Sequence, residues 1–167
     1  MIKMQVFNKD STLWSYLSAD IKDLFEDGEI ILNFVEKYRE KDDITDYSFM
    51  VFPFAKGYEG FLKKFLLDTG LIKEEDYYSD DIRIGRILNP NFVKERSNVF
   101  NKICRSRDSK DVPKKLWSVW KRGRNLIFHY FPHNFRKLEY QEAMDLITEI
   151  VDAMNSAVMY CALPKKY

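Results

Sequence analysis

Ala143, Leu146, Ile147, Ile150, Val151, Met154, Ala157 and Val158 recur at intervals of three and four. That spacing puts all eight on one face of a helix spanning about 139–161 and excludes a strand there. A face that wide must be covered, so the chain has to bring further helices against it.

Those partners are legible upstream. Phe54, Tyr58, Phe61, Leu62, Phe65 and Leu66 mark a second long helix over 47–69, with Pro53 near its start and Gly70 placed to end it. In "STLWSYLSADIKDLFEDGEIILNFVEKYRE", Ser11 or Thr12 is positioned to cap a helix carrying Leu13, Leu17, Ile21, Leu24 and Phe25, and Gly28 is expected to break it in two. "REKDDITD" reads as a solvated linker. Gly85 and Asn89-Pro90 make the middle of the chain short helices and loops, while Phe92, Val93, Val99, Phe100 and Ile103 keep helical spacing. Pro113 suits the first turn of a helix expected over 113–131, ended by Pro132. The expected fold class is all-α, an antiparallel bundle.

At 167 residues and 46% hydrophobic content, the chain suits one domain with a real core. Runs such as "YSFMVFPFA" are far shorter than the roughly 20 residues that span a bilayer, and no apolar leader is visible. A cytoplasmic protein without a membrane partner is therefore expected. Cys104 and Cys161 stand far apart and outside metal-ligand spacing, so reduced thiols, no metal and no cofactor are expected. The net charge of +1 hides an asymmetry: between Arg83 and Lys137 there are 15 basic residues against 3 acidic ones. Such a block attracts a polyanion, RNA included, unless the acidic half of the chain covers it.

Inside this block lies "WKRGRNLIFHY", residues 120–130. On a continuous helix Leu116, Trp117, Trp120, Ile127, Phe128 and Phe131 share one arc, and Arg124 falls within it. A guanidinium there needs an anionic partner or a wet cleft. Glu59, at the edge of the apolar face in "FAKGYEGFLKK", is the candidate partner, with Lys56 one turn before it and Lys63 one turn after. Asn125 and His129, four residues apart on the polar side, are placed to meet, so that Asn125 holds the imidazole. The plainer alternatives are that Arg124 snorkels over Trp120, that Glu59 only pairs with Lys63, and that His129 and His133 are ordinary surface residues.

"RNLIFH" resembles the R-x4-6-H signature of HEPN-superfamily ribonucleases, with a polar residue, Asn125, following the arginine. Its setting in a late helix, after a "KGYEGFLKKFLLDTGLI" helix and before a final long one, is similar to the HEPN module of RNase LS-type toxins. The resemblance covers about 46–160, giving an HEPN-like domain over 46–167 behind an N-terminal helical extension over 1–45. It implies a metal-independent endoribonuclease of toxin or defence type, in which the RNA 2′-hydroxyl attacks phosphorus and leaves a 2′,3′-cyclic phosphate. Arg124, His129, Glu59 and Asn125 would be the catalytic set, with Lys56, Lys121 and Arg122 binding substrate. Lys56 stands where those toxins are expected to carry arginine. Arg124 and His129 diverge by about 140° on an ideal helix, so a homodimer with a shared cleft is expected, and an antitoxin protein is a further expected partner. The alternative implied by the same resemblance is a silent HEPN module that binds nucleotide, RNA or protein.

Overall fold

The computed structural model describes residues 4–38, 44–104, 111–125, 127–130, 132 and 136–161. Its regular elements are all helical: α1 Thr12–Tyr16, α2 Ala19–Tyr38, α3 Ser48–Asp68, α4 Glu74–Tyr78, α5 Ile84–Ile87, α6 Val112–Trp120 and α7 Tyr140–Tyr160. No strand occurs among the described residues. The protein is an all-α bundle in which α3 packs against both α2 and α7, and α6 against α7. None of the described helices is long and apolar enough to cross a membrane.

The two strongest periodicities translate directly into α3 and α7. Pro53 is accommodated inside α3, and Gly70 takes φ +70°, the left-handed conformation that ends a helix at low cost to a residue without Cβ. Every apolar residue of the α7 pattern from Ala143 to Ala157 is buried.

Gly28 does not break α2. The interruption comes earlier, where α1 stops at Tyr16 after Ser11 Oγ has capped it by accepting from Trp14 N at 3.1 Å. Gly28 serves packing instead: a Cβ there would come within 2.6 Å of Phe54 Cζ. Gly57 plays the reciprocal part on α3, where a Cβ would overlap the Phe25 ring. Phe25 and Phe54 are both fully buried, so neither ring can swing aside. Gly57→Ala is therefore expected to destabilise the fold by about 1–3 kcal/mol, the usual range for overpacking. Urea denaturation would register this as a lower midpoint at unchanged slope.

The N-terminal segment belongs to the same core. Phe7, Leu13, Leu17, Ile21, Phe25, Leu32 and Val35 cluster with residues of α3 and α7. Glu29 Oε1 accepts from Val6 N at 2.8 Å and Phe7 N at 3.0 Å, while Asn33 Oδ1 accepts from Met4 N at 2.7 Å. These side chains supply the acceptors for backbone N–H groups that lie outside any helix.

Three further expectations are corrected. Residues 92–103 form only short 3-10 turns, Pro90–Phe92 and Phe100–Lys102, because Asn98 spends its side chain on loop carbonyls, donating to Asn89 O at 2.8 Å. Cys104 and Cys161 are joined in a disulfide with Cα atoms 5.0 Å apart, in place of two separate reduced thiols. It links the residues before α6 to the end of α7, a proximity made by the bundle and invisible in a separation of 57 residues. The helix expected over 113–131 stops being α-helical at Trp120 and continues as a wider π-helical turn, Lys121–Asn125. Phe131 and His133 lie outside the described residues.

Candidate active site

α6 begins with Pro113 in its first turn and buries Val112, Leu116, Val119 and Trp120. Trp120 is held tightly from the other side, since a Cβ on Gly85 would meet its indole nitrogen at 2.8 Å. Above this fixed ring the backbone widens into the π-turn, with Gly123 buried against Leu146 and Ile150 of α7. The wider turn takes in an extra residue, and it alters the direction in which everything beyond it projects.

Arg124 is the residue this geometry presents. Its guanidinium carbon lies 5.3 Å from the Trp120 ring centroid, a cation–π distance. Its Nε stands 3.4 Å from Glu59 Oε2. The charge thus has the anionic partner that its place in the apolar arc demands, supplied within the same chain. Both side chains retain solvent access, 42% for Arg124 and 29% for Glu59. A pair so exposed contributes only about 0.2–1 kcal/mol to stability. Orientation of the guanidinium is therefore the larger consequence of Glu59.

Arg124 and Glu59 open into a cleft of about 390 Å³ whose lining also includes Phe52, Ala55, Lys56, Phe128 and His129. Phe52, Lys56 and Glu59 are spaced i, i+4, i+7 and form one stripe of α3. Phe128 and His129 come from the turn that follows the π-helical segment, where Phe128 N donates to Arg124 O at 3.4 Å. The helix break thereby removes the 140° divergence expected between Arg124 and His129. Both line one cleft of one chain, so bringing them together does not require a second subunit.

Of the remaining expected site residues, Arg122 and Lys121 fall elsewhere. Asn125 closes the π-turn, but its side chain lies outside the described part of the structure. Its expected i, i+4 contact with His129 presupposed a helix that does not continue to residue 129. Arg122 faces α7 and pairs with Glu149, Nη1 to Oε2 at 2.9 Å and Nη2 to Oε1 at 3.0 Å. It lines a separate cleft with Arg136 and Lys137. Lys121 is exposed, outside the set of described residues that line the Arg124 cleft.

Phe52 and Phe128 were not expected at the site. Their ring centroids are 5.5 Å apart with planes at 85°, an edge-to-face pair. Phe52 carried a signal, since it sits one turn before Lys56. Phe128 was hidden by its place in the apolar arc of a helix that ends too early to bury it.

The cleft combines a guanidinium oriented by a carboxylate, an ammonium, an imidazole and two rings. Its cations suit a phosphate diester, and the imidazole can move a proton beside it. Comparison of the chain with family models, with curated proteins and with solved structures finds no match.

Proposed function

We propose that the protein is an HEPN-type endoribonuclease that cleaves RNA without a metal ion and acts as a cytoplasmic toxin or defence factor. The observation that supports this most is the convergence of Arg124, Glu59, Lys56 and His129 on one cleft. In this reading an RNA phosphate lies against Arg124 and Lys56. His129 takes the proton from the 2′-hydroxyl as that oxygen bonds to phosphorus; the bond from phosphorus to the 5′-oxygen breaks, that oxygen takes a proton from solvent, and His129 then returns its own proton to solvent. The products are a 2′,3′-cyclic phosphate and a 5′-hydroxyl, and no water is consumed. Arg124 balances the charge that accumulates on the non-bridging oxygens, and Glu59 holds the guanidinium in place.

Purified protein mixed with end-labelled RNA tests the reading directly: discrete cleavage supports it, and intact RNA after prolonged incubation contradicts it. Induced expression should slow growth in the wild type, and an antitoxin partner should relieve that effect. A homodimer belongs to the same proposal. Mixing inactive Arg124→Ala and His129→Ala chains separates a site shared between subunits, which regains activity, from a site completed within one chain, which does not.

The basic block from Arg83 to Lys137 should supply most of the affinity through phosphate contacts. Binding should then weaken steeply with salt, by about 10³–10⁵-fold between 50 and 200 mM if six to ten phosphates are neutralised. Neutralising the exposed Lys114 and Lys121 together should flatten that dependence. A salt-independent affinity would assign the block a structural role.

The second reading is a silent module that binds RNA without cutting it. Lys56 favours it, because lysine cannot make the bidentate phosphate contact of the arginine expected there. Salt-dependent binding without cleavage would select this alternative.

A further inference from the structure

Phe52 is 55% exposed and Phe128 is 37% exposed. Removing a phenylalanine from water is favourable, and the described structure forgoes part of that gain at both positions. The two rings nevertheless contact each other rather than lying scattered over the surface. Both line the cleft whose lining also includes Lys56, Glu59, Arg124 and His129.

From this arrangement we infer that Phe52 and Phe128 form a stacking subsite for an unpaired nucleobase next to the bound phosphate, an inference that rests on the RNA reading above. Phe52 and Lys56 are one helical turn apart on α3, about 6 Å along its axis. That spacing is comparable to the reach from a phosphate to the base of its own nucleotide. A phosphate against Lys56 and Arg124 therefore places a base over the aromatic pair. Paired bases are already stacked inside a helix and offer no free face, so the subsite selects RNA that is single-stranded at the cleavage point. Aromatic stacking of this kind tolerates any base and is worth roughly ten- to a hundredfold in affinity per base. The two cations, Lys56 and Arg124, that line the cleft with the rings suit an anionic occupant that also carries a flat apolar face, as a nucleotide does.

The test uses 2′-O-methyl RNA strands, which lack the nucleophile and cannot be cut. One strand is intact, one of the same length has abasic central nucleotides, and one is paired with its complement. Fluorescence anisotropy measures their affinities for the wild type, Phe52→Ala and Phe52→Trp, with circular dichroism to confirm that each variant is folded. Wild type and Phe52→Trp should prefer the intact single strand over the abasic strand and the duplex by tenfold or more. Phe52→Ala should bind all three alike, at the level that the wild type shows for the abasic strand. If Phe52→Ala keeps the full preference while binding remains salt-dependent, the subsite is overturned and the RNA reading stands. If no strand binds the wild type at low salt, both are overturned. If Phe52→Ala changes the sedimentation mass and leaves the preference intact, the aromatic pair is a contact between copies, which also overturns the subsite.

Discussion

Arg124→Ala should lower RNA cleavage by about 10²–10³-fold, the usual loss when one preorganised donor to a developing oxyanion is removed. The fold should tolerate the change. Arg124 is partly exposed, and the ion pair it forms with Glu59 is too solvated to carry much stability. Arg124→Lys separates charge from shape: an ammonium keeps the field but loses the planar fork and the stacking on Trp120. Most of the loss should therefore persist in the lysine variant. Glu59→Gln should have a smaller effect, because Trp120 still supports the guanidinium from below. A thermal melt within a degree or two of wild type for all three variants would show that activity, and not folding, was removed.

His129→Ala should reduce kcat by about 10²–10⁴-fold, the range for loss of a positioned proton carrier. Its affinity for uncleavable RNA should change little, because the proposed reading assigns the phosphate to Arg124 and Lys56. The two substitutions thus differ in kind: Arg124→Ala weakens both binding and turnover, whereas His129→Ala acts on turnover. If His129→Ala were as active as wild type, proton transfer would have to come from elsewhere in the cleft.

How far the sequence announced this arrangement depended on which signals were periodic. α3 and α7 were legible almost to the residue because their apolar faces repeat over about four turns. Both are buried along that repeat. The pairing of Glu59 with Arg124 was legible for another reason: a charge inside an apolar arc requires a partner, and few carboxylates lie at a helix edge. Gly28 misled because glycine has two uses, ending helices and admitting neighbours, and only the Phe54 ring against it tells which applies.

The π-turn was the consequential omission. A helical wheel assumes constant pitch, and across "KRGRN" the pitch widens, so the projections of Phe128 and His129 were misdirected. The 140° divergence between Arg124 and His129 followed from the same assumption, and with both residues lining one cleft it no longer bears on whether two copies associate. Gly123 among three cations was the available cue, since it lowers helix propensity where α6 gives way. The Cys104–Cys161 bond had no comparable cue, because two distant residues reveal their proximity only after the bundle has formed.

The central claim is that residues of this one cleft cut RNA by internal attack of the 2′-hydroxyl. The most direct measurement incubates the purified protein with a labelled RNA in excess EDTA and determines the chemistry of both new ends. The account predicts cleavage at an undiminished rate, a 2′,3′-cyclic phosphate on one fragment and a 5′-hydroxyl on the other, with both lost in His129→Ala. Cleavage that stops in EDTA and returns with a divalent ion, or that leaves a 5′-phosphate, would contradict it.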